Sequence, residues 1–405
     1  MTIMRQNRIT VVVVLSLLAG APRLDGLSLA QASHQPNPMV HQDGTRIVDG
    51  QGKEVKLRGV NLGGWLFWEG WIFGKGILTP QTTILTRLEK AVGVPQTEEF
   101  RTAIYENFIT EADIQKIAGA GFNCVRVPLH RDLFNEDRGW KLLDRLLGWC
   151  EKHQVYVVLD FHGVPGGQAK MATADPGDAR HLVWVSEENQ KKTVAIWKSI
   201  AARYHKRKII AGYDLINEPA PPSGEALVNL YQRIIRVVRA EDPDHLIIFE
   251  GSKFSSDFSM FEKPLCENQA FSFHMYTWFG DDRKKHLAAY QALAQRHNTP
   301  LWVGEFGENT YDMIRTTVEM YDRCPEINGW AFWTWKKAPS KFPGLVTIKV
   351  PGSWEPVMAS VASLFGGNMP DKAKVGVGMR DFLDAVKLQN CNYDERMEQA
   401  LLLKR

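Results

Sequence analysis

Short apolar segments alternate with longer amphipathic segments along most of the chain. The short segments are rich in Val, Ile, Leu and Phe, which favour β-strands, whereas the longer ones repeat their apolar residues at helical spacing. Eight strands are predicted, over residues 55–60, 124–129, 156–161, 210–216, 246–250, 271–276, 301–306 and 330–335. The helices predicted between them include residues 111–120, 142–153, 187–204, 225–239, 283–296 and 311–321.

The alternation of strands and helices predicts a parallel sheet, because consecutive parallel strands need a crossover connection. Eight such units close most economically into an α/β fold of the (β/α)₈ TIM-barrel class, and an open doubly wound sheet is the alternative. The fifth unit is weak, because residues 251–270 are few and rich in Ser and Phe, so its helix is expected to be small or missing. Extended loops are expected over residues 74–109 and 336–376, after strands 1 and 8 and above the C-terminal face.

The first residues have the pattern of a secretory signal peptide. Arg5 and Arg8 precede an apolar stretch over residues 9–21, and a small-residue cleavage motif follows at 30–32. The apolar stretch is shorter than the 18 to 20 or so residues that a membrane span needs. We therefore expect residues 1–32 to be removed and the mature chain to be secreted, extracellular or periplasmic, without a membrane span.

The remaining sequence divides into three parts. Residues 33–44 form a polar leader, and a Gly-rich turn within residues 46–57 predicts an N-terminal hairpin. Residues 45–390 contain no linker rich in Pro and Ser, so they are expected to form one barrel domain. Residues 391–405 form a charged tail that is expected to contain a peripheral helix.

The composition excludes several classes of protein. The chain has 405 residues, of which 44% are hydrophobic and 23% charged, as in a folded protein. Its net charge of +3 gives no field that would favour nucleic acid as a partner. Five scattered cysteines without a CxxC pair exclude a zinc ribbon or a disulfide scaffold, although two disulfides are possible. A monomer is the default expectation.

Reactive side chains cluster where the predicted strands end. The set comprises Arg126, His162, Asn217, Glu218, Glu250, His274, Tyr276, Glu305 and Trp333. In a TIM barrel the C-terminal strand ends converge on one mouth, so residues far apart in sequence become neighbours. Asp160 and Asp214 lie inside strands, and we expect them to be structural. The concentration of reactive groups predicts an active site at the mouth.

Glu218 and Glu305 are predicted to face each other across this mouth, from the fourth and seventh strands. Two opposed carboxyl groups suit glycoside hydrolysis, in which one protonates the leaving oxygen while the other attacks the anomeric carbon. The attacking group must be ionised, and a neighbouring arginine favours the charged form of a carboxylate. We therefore expect Arg126 to lower the pKa of Glu305.

Seven sequence blocks, in order between residues 45 and 340, resemble glycoside hydrolase family 5, the cellulase-type retaining enzymes. The blocks are RGVNLGGWL at 58–66, GFNCVRVP at 121–128, LDFHG at 159–163, DLINEP at 214–219, HMY at 274–276, GEFG at 304–307 and FWTWK at 332–336. The resemblance implies that Glu218 is the acid/base and Glu305 the nucleophile, with no cofactor and no metal ion. It further implies that the substrate contacts Arg126, His162, Asn217, His274, Tyr276 and Trp333, with Trp333 preferred to Trp335 as the sugar platform.

Two further stretches, NLGGWLFWE at 61–69 and HGVPGGQ at 162–168, resemble the exo-β-1,3-glucanase branch of that family. The resemblance implies that Glu69 grips the terminal sugar. Trp65, Trp68 and Trp278, with Trp71, follow the first and sixth strands and are expected to line the cleft. The sequence departs from the branch at GWIF, residues 70–73, and in the loop 168–181, so the glucan linkage stays open.

The expected function is that of a secreted retaining β-glycosidase acting on a polysaccharide or oligosaccharide, namely β-glucan or β-glucosides. An exo-β-1,3-glucanase or a β-glucosidase-like enzyme is favoured, and an endo-acting cellulase or a mannanase is the alternative. A metal-dependent hydrolase using His162 and His274 is disfavoured because the first strand lacks a His-x-His pair. A carbohydrate-binding protein without catalysis is disfavoured because both glutamates are present.

Overall fold

The structure, a computed structural model, describes residues 39–74, 78–177, 182–278, 280–362 and 370–404. The predicted signal peptide, the first part of the polar leader and part of the loop 168–181 lie outside these ranges. In the described ranges, no helix combines the length and the apolar character that crossing a membrane requires.

Eight parallel strands close into a barrel. The strands of the protein are β1 (His41–Asp43), β2 (Arg46–Val48), β3 (Leu57–Asn61), β4 (Cys124–His130), β5 (Tyr156–Gly163), β6 (Ile210–Asp214), β7 (Leu246–Glu250), β8 (Gln269–Met275), β9 (Leu301–Gly307), β10 (Ile327–Trp333), β11 (Lys336–Lys337), β12 (Val346–Thr347) and β13 (Asn392–Tyr393). The barrel runs from β3 to β10, and β10 pairs in parallel with β3 to close it. This closure confirms the predicted TIM barrel and excludes the open sheet.

Helices surround the barrel. They are α1 (Gly70–Phe73), α2 (Gln81–Val92), α3 (Val94–Asn107), α4 (Glu111–Ala120), α5 (Asp137–His153), α6 (Glu187–Tyr204), α7 (Gly224–Glu241), α8 (Ser252–Ser255), α9 (Arg283–His297), α10 (Tyr311–Asp322), α11 (Glu355–Ala362), α12 (Lys372–Ala385) and α13 (Glu395–Leu402). Short 3₁₀ turns cover Arg131–Phe134, Ala172–Ala174, Gly352–Trp354 and Leu388–Asn390. The six predicted helices are present, and the fifth unit holds only the single turn α8, as expected.

The predicted N-terminal hairpin is present and has a second arm. Val48 and Glu54 form an antiparallel bridge, and the N–H of Val55 donates to the carbonyl of Ile47 at 2.8 Å across the Gly-rich turn. These contacts confirm the predicted reversal within residues 46–57. The longer pairing of β2 is with β1, around Gly44, and the chain enters the barrel from Leu57 onward as β3.

The hairpin closes the N-terminal end of the barrel. Val40 and Ile47 pack with Leu57, Leu246 and Trp302 in one buried apolar cluster. Protein interiors packed in this way are rigid. TIM barrels carry their functional sites at the opposite, C-terminal end. The polar residues of the site are therefore expected at that end, above this apolar cluster.

The segments after β3 and β10 are not the predicted loops. Residues 74–109 contain α2 and α3, and residues 336–376 contain β11, β12, α11 and the start of α12. These helices bury an aromatic cluster in which Trp354 stacks on Phe382, with ring centroids 3.9 Å apart. The prediction of loops was wrong because the apolar faces of these helices pack against each other. The helices form an added layer that does not follow the repeating pattern of strand and helix.

The charged tail belongs to a small three-stranded sheet. Its strand β13 pairs antiparallel with β12, and its helix α13 packs against α10. All five cysteines, including the core residue Cys124, are free thiols. The two disulfides that the sequence left open are therefore not formed.

Candidate active site

Arg126 is the centre of a buried hydrogen-bond network at the mouth of the barrel. It lies on β4, whose seven residues are all buried, and its own side chain is 0% exposed. Nε of its guanidinium donates to Asp214 Oδ2 at 2.9 Å. Nη1 donates to Glu305 Oε1 at 2.8 Å and to Asn61 Oδ1 at 3.1 Å. Nη2 donates to Asn217 Oδ1 at 2.8 Å and to Glu250 Oε1 at 2.9 Å. The rigid fork of an arginine thereby fixes groups from four strand ends relative to one another.

Glu305, on β9, has both carboxylate oxygens engaged. Oε1 accepts from Arg126, and Oε2 accepts from the hydroxyl of Tyr276 at 2.8 Å. Burial raises the pKa of Glu305, and the charges of His274 and Arg126 lower it without cancelling that rise. Arg126 therefore acts in the direction that the sequence predicted, but the expected net lowering is wrong because desolvation is the larger effect.

Glu218 follows β6 in a strained backbone conformation, with φ of +41°. Its backbone N–H donates to Glu250 Oε2 at 2.7 Å, which holds this turn in place. Left-handed conformations of non-glycine residues cost about 1 to 3 kcal/mol and concentrate at functional sites. The strain aims the Glu218 side chain into the mouth, where Oε1 lies 2.8 Å from His274 Nδ1.

His274, on β8, lies between the two glutamates. Its Nδ1 is 2.8 Å from Glu218 and 3.7 Å from Glu305, and its Nε2 is 3.2 Å from Glu250. Burial alone would lower the pKa of His274, but Glu250, Glu305 and the contact with Glu218 raise it well above its usual range. The ring is therefore cationic at neutral pH, and its Nδ1 donates a hydrogen bond to Glu218.

His162 and Trp333 form one wall of the mouth. Their rings stack with centroids 5.5 Å apart and an interplanar angle of 10°. Nδ1 of His162 lies 2.7 Å from Asp160 Oδ2, and the Asn217 amide donates to Nε2 at 3.3 Å. Burial lowers the pKa of His162 to about 4, so the ring is neutral at pH 7 with its proton on Nδ1.

Glu69, just before α1, is a buried carboxyl group at the edge of the mouth. It is 3% exposed, and its Oε2 has no hydrogen-bond partner in the described part of the chain. Burial, followed by the charges of Glu305 and Glu218, raises the pKa of Glu69 well above its usual range. Buried polar atoms without a partner are rare in proteins and are commonly completed by a ligand or by water.

Comparison with known families agrees with this geometry. The profile of the family Cellulase (glycosyl hydrolase family 5) matches residues 87–339, more than half of the chain. The chain belongs to glycosyl hydrolase family 5. This membership confirms the resemblance found in the sequence and makes the protein a glycoside hydrolase.

Individual family 5 relatives cover most of the chain. A β-xylosidase from Phanerodontia chrysosporium is 31% identical over 347 residues, which are 75% of this chain and 72% of that protein. A probable glucan 1,3-beta-glucosidase A from Aspergillus clavatus is 26% identical over 351 residues, with coverages of 69% and 82%. A solved structure of a beta-glucanase from Saccharophagus degradans in complex with cellotetraose shares the fold, with a TM-score of 0.53, 17% identity and coverages of 86% and 94%.

The structure of this family 5 enzyme brings most of the sequence-predicted site residues together. The residues that meet at the mouth are Arg126, His162, Asn217, Glu218, His274, Tyr276, Glu305, Trp333 and Glu69. Trp278 is 52% exposed and stacks on Tyr276, with ring centroids 4.3 Å apart. Trp335, two residues beyond the end of β10, is fully buried and donates to Asp113, so Trp333 is the one of these two that lies at the mouth.

Two of the tryptophans expected in the cleft lie in the core instead. Trp65 and Trp68 are 0% and 1% exposed. The indole of Trp65 donates to the carbonyl of Tyr105 in α3, and the indole of Trp68 donates to that of Trp65. The expectation that they line the cleft is wrong, because the unpredicted helix layer supplies them with apolar neighbours and hydrogen-bond partners.

Sequence reasoning did not single out two buried polar residues at and beside the mouth. Asn61 ends β3 and accepts from Arg126, and Lys337 lies four residues beyond Trp333 with 2% exposure. The position of Asn61 at a strand end was the available signal. Lys337 had none, since a lysine after a strand is usually solvated.

Among the described residues, distances alone would allow a metal ion at two places. One ligand atom each from Glu218, His274 and Glu305 lie within 4.8 Å of one another, and so do atoms from three other buried acids. The first group is already bonded internally, since Arg126 and Tyr276 donate to the two oxygens of Glu305. The second group surrounds the Arg126 cation, so neither donor set fits a metal ion better than its present partners.

Proposed function

We propose that this family 5 enzyme is a retaining β-glycosidase with Glu305 as nucleophile and Glu218 as acid/base. The observation that carries this proposal is their separation, since one oxygen of each carboxyl lies within 4.8 Å of the other. Retaining enzymes hold their carboxyl groups about 5 to 5.5 Å apart, whereas inverting enzymes leave about 6.5 to 9.5 Å for a water molecule.

In the first step of the proposed reaction, an oxygen of Glu305 attacks the anomeric carbon while Glu218 protonates the departing glycosidic oxygen. A covalent glycosyl ester with Glu305 results. Glu218 then takes a proton from water, whose oxygen attacks the same carbon and releases Glu305. Configuration is retained because the carbon is inverted twice.

The surrounding side chains suit the two roles. Arg126 and Tyr276 fix both oxygens of Glu305, which orients the nucleophile and stabilises the carboxylate released in the second step. His274 donates to Glu218 and orients it toward the leaving group. We place the sugar ring on Trp333, with its 2-hydroxyl at Asn217, where a contact that strengthens in the transition state lowers the barrier.

The proposed substrates are β-glucan or β-glucosides, attacked at the terminal sugar. The glucan 1,3-beta-glucosidases among the relatives and the cellotetraose complex of the structural neighbour support a glucose-based carbohydrate. The β-xylosidase relative makes β-xylosides a competing class, and endoglucanases at 25% identity keep endo action on cellulose as the alternative. We also propose that the enzyme is exported, on the pattern of residues 1–32.

The test is hydrolysis of laminarin, cellulose, an aryl β-glucoside and an aryl β-xyloside by the purified enzyme. We expect glucose as the first product from laminarin, and we expect proton NMR to show the β-anomer before mutarotation. An initial α-anomer would contradict the retaining mechanism, and mixed oligosaccharides from cellulose would favour endo action instead.

A further inference from the structure

Lys337 is a buried ammonium group beside the mouth to which the proposed mechanism gives no role. It lies on β11 and is 2% exposed. Its Nζ is 3.3 Å from Glu308 Oε1 and 4.3 Å above the ring centroid of Trp71. Burial lowers the pKa of Lys337, and Glu308 partly offsets that effect. Lysine is among the residues that proteins bury least often, so its position here calls for a reason.

Lys337 and Glu69 both have unused hydrogen-bonding capacity. An ammonium group has three donors, and Glu308 is the one acceptor that the described residues offer to Lys337. Oε2 of Glu69 has no partner among the same residues. Both side chains are more than nine-tenths buried and both contact Trp71. A donor over the face of the Trp71 indole and an acceptor bonded to the same side chain are matched to a hydroxyl group.

The position of this pair selects which hydroxyl it meets. This step rests on the proposed function, which puts the sugar on Trp333 with its 2-hydroxyl at Asn217, just after β6. In a pyranose ring, C5 lies opposite C2, so the substituent of C5 points away from β6. Around the barrel, the opposite side is occupied by β9, β10 and β3. Glu308 directly follows β9, Lys337 follows β10, and Glu69 follows β3.

Contacts within the mouth agree with this placement. Trp71 lies against Trp333, with ring centroids 6.4 Å apart, so the pair adjoins the sugar platform. Glu69 bonds to the same Trp71 side chain, so its carboxyl also lies beside this platform.

We propose that Lys337 determines specificity by binding, together with Glu69, the hydroxymethyl group on C5 of the sugar, so that the enzyme prefers β-hexosides to β-pentosides. Nζ donates a hydrogen bond to O6, and Glu69 accepts one from the O6 hydroxyl. Glu308 holds the ammonium group in position. A xyloside lacks this hydroxymethyl group and leaves both buried side chains with unused hydrogen-bonding atoms. The free energy lost in this way is the larger part of the discrimination against xylosides.

The experiment compares kcat/KM of the wild type and Lys337→Met on 4-nitrophenyl β-D-glucopyranoside and β-D-xylopyranoside. Methionine keeps an unbranched chain of similar length without the charge. We expect the glucoside value to fall about 10- to 100-fold, the cost of losing a hydrogen bond to a charged group, and the xyloside value to change less than about threefold. An equal fall on both substrates, an unchanged glucoside value or a wild type that prefers the xyloside would overturn the inference. A wild type that hydrolyses neither glycoside would instead contradict the proposed function.

Two further variants keep the test informative. Lys341→Met removes the same charge from an exposed lysine and should change neither value. Glu308→Gln keeps Lys337 but removes the charge that positions it. We expect kcat/KM to fall by less than in Lys337→Met, and only on the glucoside. This variant tests the inference also where Lys337→Met does not fold. A fall of equal size on both substrates in Glu308→Gln would count against the inference. Thermal unfolding establishes that each variant is folded.

Discussion

The hydroxyl of Tyr276 donates a 2.8 Å hydrogen bond to Oε2 of Glu305. This bond stabilises the ionised form of a carboxyl group whose pKa burial has already raised. Arg126 holds the other oxygen, so the two donors together oppose desolvation. The ionisation of the proposed nucleophile therefore depends on a tyrosine that comes from a neighbouring strand.

Tyr276→Phe should move the acid limb of the pH profile upward. Without the hydroxyl, the pKa of Glu305 rises further, so the carboxylate becomes protonated at a higher pH. We expect the acid limb of kcat/KM to shift by about one to two pH units, because a hydrogen bond to a charged group contributes about 1.5 to 3 kcal/mol and one unit corresponds to about 1.4 kcal/mol. The measurement is kcat/KM of an aryl β-glucoside between pH 3 and 9. Tyr311→Phe, which removes a hydroxyl bonded to Asp394 away from the site, serves as control, and an unmoved limb in Tyr276→Phe would contradict the prediction.

Glu305→Gln should abolish turnover and leave the fold intact. The amide is close in shape to the carboxylate and still accepts from Arg126, but it cannot form the glycosyl ester. We expect kcat on an aryl β-glucoside to fall by at least about four orders of magnitude, with thermal unfolding little changed. Glu262→Gln, at an exposed position, is the matched control. Residual activity above about one per cent would remove Glu305 from the role of nucleophile.

Glu218→Ala should separate substrates by their leaving groups. A dinitrophenolate departs without a proton, whereas a sugar alkoxide needs one. We expect kcat/KM on a dinitrophenyl β-glucoside to fall about tenfold or less and that on laminari-oligosaccharides to fall about 10³-fold. Azide should then accelerate the variant by attacking the glycosyl ester, with β-glucosyl azide identified by NMR. Equal losses on both substrates would exclude Glu218 as the general acid.

Patterns in the sequence predicted the barrel and its mouth well, because both depend on local periodicity and on strand ends. Arg126 and Glu305 are 179 positions apart, yet placing each at the end of a barrel strand was enough to bring them together. The helices α2 and α3 escaped prediction because they stand outside the repeat. Their absence from the prediction also led to the wrong placement of Trp65 and Trp68, whose surroundings those helices create.

Burial depth is the property that local sequence did not reveal. The pKa of Glu305 depends on how completely the barrel and its helices exclude water, so the charge of Arg126 alone suggested the wrong direction. Lys337 is a second case, since no neighbouring residue distinguishes it from the exposed Lys341. In both cases the decisive quantity is set by elements distant in the chain.

Asp175 connects three segments beside the mouth through hydrogen bonds and ion pairs. Its Oδ2 lies 2.7 Å from His130 Nε2 and 2.7 Å from Arg131 Nη2, and its Oδ1 accepts from the Thr82 hydroxyl at 2.7 Å. Burial alone would raise the pKa of Asp175, but His130 and Arg131 lower it well below its usual value of 3.8. The ionised aspartate therefore stabilises the fold at neutral pH, and this contribution is lost as pH falls.

Asp175→Asn should destabilise the enzyme by about 3 kcal/mol at pH 7, because removing one partner leaves buried charges uncompensated. Asparagine tolerates the left-handed backbone of this residue, φ of +44°, so the effect reports charge and not backbone strain. Urea unfolding of wild type and variant measures the difference in the free energy of unfolding. This difference should narrow as pH falls below about 4, because protonation of Asp175 in the unfolded chain then begins to remove the wild-type advantage. Asp43→Asn, which breaks an exposed ion pair with Arg46, should cost less than about 1 kcal/mol. A difference between wild type and Asp175→Asn that stays constant from pH 7 to pH 3 would show that the carboxylate charge is not its source.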